Sequence, residues 1–316
     1  MPANGSLQIL MATFNGHRFV ARQLDSILAQ SVTDWSLLIR DDGSTDGTVE
    51  IIRTYRDIHA GKISFIEDGL GNLGPKGNFA KLLEFADADY IMFSDQDDVW
   101  LPNKIELSVS SMKKLEQTSG NARPLLVHTD LVVADSDLRP IAESLWKFQK
   151  IDPRRGNRIE RLFIENVATG CTVLINRKLR DMALPVPPAA IMHDWWLALV
   201  AAAFGSIGHL PEKTVLYRQH GLNEVGAQSW DMSYLIRKVT RFIDSEQLKE
   251  ILFRTGRQAD AFLERFKYQL HDDHKEKAAA YAGLGELGLL RKRYTVLRHG
   301  FLRTGLVRNV SLFLRM

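Results

Sequence analysis

The sequence is poor in cysteine and has no long apolar segment. Cys171 is the only cysteine in 316 residues, so no disulfide can form within the chain, and a reducing compartment fits this composition. The apolar segment "LALVAAAFG" at 197–205 is too short for a bilayer, which takes about 20 residues to span. No basic segment precedes the first apolar stretch, as it would in a signal peptide. We therefore expect a cytoplasmic protein.

Repeats and low-complexity segments are also lacking, but the charge is unevenly distributed. Residues 231–316 contain 17 Lys and Arg against 10 Asp and Glu, a net charge of +7, so residues 1–230 carry −4 of the overall +3. This asymmetry predicts an acidic body with a basic tail that meets an anionic surface. The basic stretch lacks the interleaved aromatic residues of a single-strand binding platform, so nucleic acid is not an expected partner.

Short apolar runs alternate with helix-like segments through the first hundred residues. The predicted strands are "LQILMATF", "WSLLIRDDGS", "ISFIEDG" and "DYIMFSD", separated by the helices "RFVARQLDSILAQ", "TVEIIRTYRDIHA" and "GNFAKLLEFA". This alternation is typical of an α/β fold whose mostly parallel sheet is flanked by helices. Further strand candidates are "PLLVHTDLVVAD", "ATGCTVLIN" and "TVLYRQHG". Ligands bind outside the carboxyl ends of such strands, so the loops after the first four strands should converge.

From about Trp230 onward the sequence is helical in character. We therefore predict a main domain at 1–228 and a basic helical C-terminal region at 229–316. The apolar residues of its last segment form a stripe with spacings of three and four: Leu287, Leu290, Tyr294, Leu297 and Phe301. The cations of the same segment, which has no acid after Glu286, are Arg291, Lys292, Arg293, Arg298, Arg303, Arg308 and Arg315. Either this helix lies in a membrane interface among anionic headgroups, or it caps the main domain with its arginines solvated.

The segment "FSDQDDVW" ends the fourth predicted strand with Asp95, Asp97 and Asp98. Three carboxylates so close together repel one another unless a cation offsets their charge. A divalent ion such as Mg²⁺ needs few protein carboxylates when diphosphate and water oxygens complete its shell. The alternative is a loop in which Asp95 or Asp98 caps the next helix, since two aspartates at this spacing are a weak motif alone.

The loop "RDDGSTDGT" follows the second strand. Asp41 and Asp42 stand where a carboxylate can accept a hydrogen bond from a base or a ribose hydroxyl, and Gly43 permits a tight turn. Asp46 and Thr48 are equally suited to an ordinary turn and helix cap.

The order of these motifs is more specific than any one of them. The segments "ATFNG", "DDGSTDGT", "NLGPKGNF", "FSDQDDVW", "NVATGCTVLIN", "HDWWLAL" and "YRQHGLNEVG" follow one another as in inverting family 2 glycosyltransferases of the GT-A fold. Within that family, the chain resembles bacterial rhamnosyltransferases of surface-polysaccharide synthesis. The resemblance covers about residues 7–228 and implies a GT-A, Rossmann-like nucleotide-sugar domain with a C-terminal helical extension.

The resemblance also implies roles for individual residues. The nucleotide-sugar site would comprise Thr13, Asn15, Asp41 or Asp42, Asn72, Gly74, Lys76, Asp95 and Arg218, and the metal ligands would be Asp97 and His220. Asp98 would support its neighbours. Lys76 has the alternative of a solvated loop lysine, and His220 that of a surface or core residue.

Inversion requires a carboxylate that takes the proton of the attacking hydroxyl, and Asp194 of "HDWW" matches the catalytic aspartate of the family. Its alternative is the N-cap of the following helix. Trp100, Gly170 and Cys171 would border the acceptor site, with the thiol packing rather than reacting. Trp195 would stack on a sugar or pack in the core.

The implied enzyme is a metal-dependent glycosyltransferase that uses Mg²⁺ or Mn²⁺ and a dTDP-, UDP- or GDP-linked sugar, L-rhamnose first among them. Its acceptor would be a lipid-linked saccharide of O-antigen or capsule synthesis, reached from the cytoplasmic face of the inner membrane. The competing hypotheses are a nucleotidyltransferase, for which "ATFNGHRF" is poor in glycine, a glycoside hydrolase, and a non-catalytic nucleotide-sugar sensor or membrane-docked scaffold.

Overall fold

The computed structural model describes residues 5–220 and 245–315. The strands are β1 (Leu7–Thr13), β2 (Ser36–Asp41), β3 (Ile63–Ile66), β4 (Tyr90–Asp95), β5 (Val99–Trp100), β6 (Leu125–Ala134), β7 (Pro140–Ala142), β8 (Val173–Asn176) and β9 (Ser206–Arg218). The four strands predicted in the first hundred residues are all confirmed, as β1 to β4. The three later strand candidates correspond to β6, β8 and β9.

Helices separate and follow these strands. They are α1 (Val20–Leu28), α2 (Thr48–Ile58), α3 (Gly74–Phe85), α4 (Lys104–Ser119), α5 (Leu145–Gln149), α6 (Ile159–Leu162), α7 (Arg177–Ala183), α8 (His193–Phe204), α9 (Ser245–Phe266), α10 (Asp272–Ala282), α11 (Leu289–His299) and α12 (Leu306–Arg315). Short 3₁₀ turns lie at Pro153–Arg155, Gly170–Thr172 and Gly283–Glu286.

The strands form one sheet in the order β3-β2-β1-β4-β8-β6-β9-β5, with β7 paired to β6. The first four are parallel, and Leu10 in β1 lies opposite Leu38 in β2 and Phe93 in β4. These three side chains are buried on one face of the sheet, and Ile9 and Met92 are buried on the other. Because both faces are covered, these strands are apolar runs rather than alternating patterns. The sheet is mixed beyond β4, since β8 is antiparallel to both β4 and β6.

The pairing of β5 with β9 positions the acidic segment. Val99 lies opposite Leu216 and Trp100 opposite Val215, so the turn after β4 is held against the end of β9. The carboxyl ends of β1, β2, β4 and β9 consequently meet on one edge of the sheet. This confirms the expected convergence of the first, second and fourth loops.

The C-terminal helices share a hydrophobic core with the sheet and α8. The ring of Trp196 on α8 lies 5.7 Å from that of Phe262 on α9. Tyr281 on α10 stacks on Phe163 at 5.5 Å and meets Phe301 edge-on at 4.9 Å. The predicted boundary at residue 228 lies outside the described residues, but the helices of 245–315 pack on the main domain.

The predicted apolar stripe is divided in the structure. Phe301 lies beyond the end of α11 and is fully buried, whereas Leu290, Tyr294 and Leu297 are exposed on α11. The C-terminal region therefore packs on the main domain and also exposes an apolar face on α11. None of the helices within 5–220 and 245–315 has the length and apolarity to cross a bilayer.

Candidate active site

A cavity of about 470 Å³ opens at the carboxyl ends of β1, β2 and β4. Most of the predicted nucleotide and metal residues line it: Thr13, Asn15, Asp42, Asn72, Gly74, Asp95, Asp97 and His220. Residues from five separate loops thus meet in one cavity. Phe14, which sequence reasoning did not single out, also lines it and is half exposed there.

A buried arginine, Arg40 in β2, organises the floor of the cavity. Its guanidinium donates to Asp42 Oδ1 at 2.7 Å and to both carboxylate oxygens of Asp68, at 2.8 and 3.2 Å. It also reaches the carbonyl oxygen of Gly71 and the side chain of Asn78 on α3. Arg40 has no exposed surface, so each donor must find a partner in the protein. One side chain therefore fixes the loops after β2 and β3 relative to α3.

The two aspartates at the end of β2 make different contacts. Asp41 accepts hydrogen bonds from Thr13 Oγ1 at 2.7 Å and from the backbone N–H groups of Gly43 and Ser44, so it holds the turn. Asp42 lines the cavity and is paired with Arg40. Of the two predicted base contacts, Asp42 is therefore the one that faces the cavity.

Asp97 and His220 meet at one side of the cavity. Asp97 Oδ2 lies 2.8 Å from His220 Nε2, and the imidazole ring stacks on Phe19 at 4.6 Å. Burial raises the pKa of Asp95 to about 7, helped by the charges of Asp97 and then Asp194. Carboxylates that repel one another at a cavity surface fit a divalent cation, which would relieve the repulsion.

A second group of possible ligands lies deeper. Asp95, Asp98 and Cys171 each place one ligand atom within 4.8 Å of the others. Asp98 and Cys171 are buried, and burial raises the pKa of the Cys171 thiol well above its ordinary value. A neutral thiol is a poor ligand for a hard cation, so the cavity-facing pair of Asp95 and Asp97 fits Mg²⁺ or Mn²⁺ better. The Cys171 side chain packs in the hydrophobic core.

Asp98 and its neighbours are held in place by Arg218, which the family resemblance assigned to the nucleotide-sugar site. Asp98 Oδ1 accepts from the backbone N–H of Arg218 at 3.2 Å. The Arg218 guanidinium donates to the carbonyl oxygens of Asp97 and Ser136 and stands 4.9 Å above the ring of Phe19. The expectation of a phosphate contact is corrected, because buried Arg218 is used to support the acidic segment.

Asp194 lies in the first turn of α8 and is 8% exposed. Met192 precedes the helix, so the predicted N-cap role of Asp194 is wrong. Burial raises the pKa of Asp194 to about 6, although the backbone N–H groups of Trp195 and Gly170 favour the ionised form. A carboxylate with this pKa is ionised near neutral pH and more basic than an ordinary aspartate, as a general base requires.

Gly170 lies against Asp194. A Cβ at this position would stand 3.5 Å from Asp194 Oδ2 and 3.3 Å from Nε2 of buried His193. The absence of a side chain lets the 3₁₀ turn at Gly170–Thr172 approach the carboxylate. Gly170, expected to border the acceptor site, thus lies beside Asp194. Neither residue is in the cavity lining, but the charge of Asp194 contributes to the raised pKa of Asp95.

The contacts predicted for Trp100, Trp195 and Lys76 differ from those in the structure. Trp100 is only 2% exposed and packs in the core, so it does not form a wall for an acceptor. The indole N–H of Trp195 donates to the carbonyl oxygen of Leu162, away from the cavity lining. Lys76 is half-buried, donates to the carbonyl oxygens of Pro188 and Ala190, and is not in the cavity lining.

Sequence reasoning missed a buried lysine behind the acidic segment. Lys104, at the start of α4, has no exposed surface and donates to the carbonyl oxygen of Cys171 at 2.9 Å. Its ammonium lies 4.7 Å from the ring centroid of Trp100. No local pattern marks Lys104, whereas Arg40 could have been found as the one charge inside an apolar strand.

Comparisons with known proteins agree with this geometry. The family model described as Glycosyl transferase family 2 matches residues 8–180. The dTDP-rhamnosyl transferase RfbG of Shigella flexneri is 31% identical over 229 residues, 69% of this chain and 74% of RfbG. An Escherichia coli protein named UDP-Glc:alpha-D-GlcNAc-diphosphoundecaprenol beta-1,3-glucosyltransferase WfgD is 31% identical over 108 residues, 34% of this chain and 41% of WfgD.

Two solved structures share the fold at low sequence identity. TarS of S. aureus, residues 1–349 in complex with UDP-GlcNAc, superposes with a TM-score of 0.55 at 15% identity and covers 89% of this chain and 72% of TarS. The mannosyltransferase PcManGT from Pyrobaculum calidifontis, in complex with GDP-Man and Mn²⁺, gives 0.53 at 14% identity over 95% of this chain and 81% of its own.

Proposed function

The chain belongs to glycosyl transferase family 2, and we propose that it transfers L-rhamnose from dTDP-L-rhamnose to a saccharide hydroxyl with inversion at the anomeric carbon. The mechanism is supported by the two carboxylates Asp95 and Asp194, which are near enough for the charge of Asp194 to contribute to the raised pKa of Asp95. The choice of donor is supported by the similarity to RfbG.

The nucleotide half of the donor would occupy the cavity. The half-exposed ring of Phe14 offers a face for stacking of a base, and Asp42 offers a hydrogen-bond acceptor beside it. The ion pair with Arg40 holds the Asp42 side chain in place, which limits the loss of side-chain freedom when the nucleotide binds. Asp95 and Asp97 would then lie near the diphosphate.

A divalent cation would be held by Asp97 and His220, with Asp95 beside them. When bound, it neutralises the charge that develops on the departing diphosphate. A nitrogen ligand such as His220 favours a transition metal over Mg²⁺, so we propose Mn²⁺ as the better activator. The Mn²⁺ in the PcManGT complex is consistent with this preference.

Asp194 would act as the general base. Its carboxylate accepts the proton of the acceptor hydroxyl while that oxygen attacks the anomeric carbon from the face opposite the diphosphate. The C–O bond to the diphosphate breaks in the same step, so the product has the opposite anomeric configuration. Gly170 leaves room beside Asp194, and its backbone N–H favours the ionised carboxylate.

The proposed acceptor is a lipid-linked saccharide of surface-polysaccharide synthesis, reached from the cytoplasmic face of the inner membrane. Similarity to WfgD, whose name includes a diphosphoundecaprenol-linked acceptor, supports this class. The basic C-terminal helices support a location at an anionic surface.

Incubation with dTDP-, UDP- and GDP-sugars and either Mg²⁺ or Mn²⁺, with nucleotide release as the readout, tests the proposal. We expect release from dTDP-L-rhamnose that requires the metal and is fastest with Mn²⁺. Release from a UDP- or GDP-sugar alone would contradict the donor, and equal release in the presence of a chelator would contradict the metal.

A further inference from the structure

The helix α11 presents an apolar face to solvent. Leu290, Tyr294 and Leu297 follow one another at spacings of four and three, and they are 79%, 63% and 62% exposed. The opposite side of the helix is anchored by Val296, which has no exposed surface. Three large side chains on one helical face are thus left uncovered by the described part of the chain.

Cations flank this apolar face, which we call the α11 face and define by Leu290, Arg291, Tyr294, Leu297 and Arg298. The sequence of α11, "LLRKRYTVLRH", contains four Lys and Arg and no acid. Arg291 and Arg298 are exposed beside the three apolar side chains. The closest acid to Arg298 is Glu276 at 3.5 Å, in a solvent-exposed pair that is worth little.

Two other cations of the C-terminal region are used differently. Arg308 pairs with Glu165 at 2.5 Å and donates to the carbonyl oxygen of Gln149, while Arg303 lies 3.7 Å from the same Glu165. These two arginines stabilise the packing of the C-terminal segment on the main domain. The two arginines of the α11 face differ from them because they are exposed to solvent.

A groove lies next to this face, between α10, the Gly283–Glu286 turn and α11. It has a volume of about 490 Å³ and is lined by Ala279, Ala280, Leu287 and Tyr294 together with Glu276, Arg298 and His299. Apolar residues beside cations suit a lipid, whose acyl chain is apolar and whose phosphate is anionic, and the one acid in the lining is paired with Arg298. The α11 face and the groove share Tyr294 and Arg298, so they form one continuous surface.

We propose that the α11 face docks the enzyme on a bilayer that contains anionic phospholipids. Leu290 and Leu297 would enter the headgroup region, Tyr294 would sit at the boundary with water, and Arg291 and Arg298 would contact lipid phosphates. An acidic protein partner would match the cations but not the three apolar side chains between them. The proposal rests on the proposed function in one respect, that the acceptor is presented at a membrane.

Vesicle sedimentation tests the proposal. The intact protein is mixed with vesicles of phosphatidylcholine alone or of phosphatidylcholine with phosphatidylglycerol. We expect binding to the anionic vesicles only, weakened by added salt. Arg291→Glu with Arg298→Glu, and separately Leu290→Ala with Tyr294→Ala, should each weaken binding about tenfold or more.

Matched controls lie on other exposed helices and turns. Arg139→Glu with Arg154→Glu repeats the charge change at two exposed positions, and Ile58→Ala with Tyr268→Ala repeats the apolar change. These variants should bind like the wild type. Donor hydrolysis in solution should be the same in all variants, because no mutated residue lines the active-site cavity.

Three outcomes would overturn the docking proposal: no binding to anionic vesicles, equal loss in the controls, or a dimer in gel filtration that the α11 variants dissociate. The last would assign the face to a second copy of the chain. If the wild-type protein binds anionic vesicles but does not hydrolyse the donor, the result would contradict the proposed function and leave the docking proposal intact.

Discussion

Asp97 Oδ2 lies 2.8 Å from Nε2 of His220, although 123 residues separate the two in the chain. The contact is possible because β5 pairs with the end of β9 and brings the acidic segment against residues 218–220. It brings an oxygen and a nitrogen atom that could bind a metal together at the cavity surface, where a diphosphate would need a counter-charge.

Replacement of Asp97 by Ala should raise the Mn²⁺ concentration for half-maximal activity about tenfold or more, because it removes one ligand and the partner of His220. The change His220→Ala should act in the same direction and reduce the preference for Mn²⁺ over Mg²⁺. Metal titrations of activity measure both effects. His59→Ala, at the end of α2, is the control, and an unchanged metal requirement in Asp97→Ala would contradict the assignment.

The change Asp194→Asn should lower turnover by about 10² to 10⁴, the usual contribution of a general base. The amide has nearly the same shape but cannot accept the hydroxyl proton. Initial rates at saturating donor and acceptor measure the effect. Asp181→Asn, an exposed carboxylate on α7, should leave the rate unchanged. Turnover within twofold or so of wild type in Asp194→Asn would exclude this residue as the base.

Activity should fall as the pH drops through about 6. Burial raises the pKa of Asp194 to about 6, so below that pH the carboxyl carries a proton and cannot accept another. Turnover at saturating substrate should therefore be half-maximal near this value and level above it. A profile that stays level down to about pH 4, the range of an ordinary aspartate, would contradict the role of the buried carboxylate.

The change Arg40→Met should destabilise the protein by on the order of 3 to 5 kcal/mol, because it leaves the Asp42 carboxylate buried without its partner. Urea unfolding measures the free energy. Arg53→Met removes an exposed pair with Glu67 and should have little effect. If the two variants lose equal stability, the floor of the cavity does not depend on Arg40.

A methyl group at Gly170 should slow turnover roughly tenfold without weakening nucleotide binding. The added Cβ would crowd Nε2 of His193 at 3.3 Å and displace the neighbouring Asp194, and small displacements of a base are costly. Gly283→Ala, where no atom lies within 4 Å of the new carbon, is the matched control. Gly170→Ala with wild-type turnover would show that this close approach is not needed.

The sequence predicted most of the fold because its strands are short apolar runs that end in polar loops. Both faces of the parallel strands are buried, so local composition was sufficient to identify β1 to β4. Asp95 and Asp97 were singled out because they end a predicted strand, whereas Thr13 and Asn15 were assigned from the family resemblance; all four line the cavity. Their position in the chain determines their position in the site.

Residues whose position depends on packing were harder to predict. Trp100 follows the acidic segment and could equally face a ligand or the core; pairing of β5 with β9 places it in the core. Lys76 and Arg218 are cations near the loops expected to bind the diphosphate, yet both donate to backbone carbonyl oxygens. Lys104 is a buried charge whose partner, the carbonyl oxygen of Cys171, comes from a distant segment, which no local pattern shows.

Separate roles for the two carboxylate sites can be measured by calorimetric titration of dTDP into wild-type, Asp194→Asn and Asp97→Ala protein in the presence of Mn²⁺. We predict that Asp194→Asn binds dTDP as the wild type does, whereas Asp97→Ala binds about tenfold or more weakly and a chelator removes the difference. Equal weakening of dTDP binding in the two variants would contradict the separation of metal site and base.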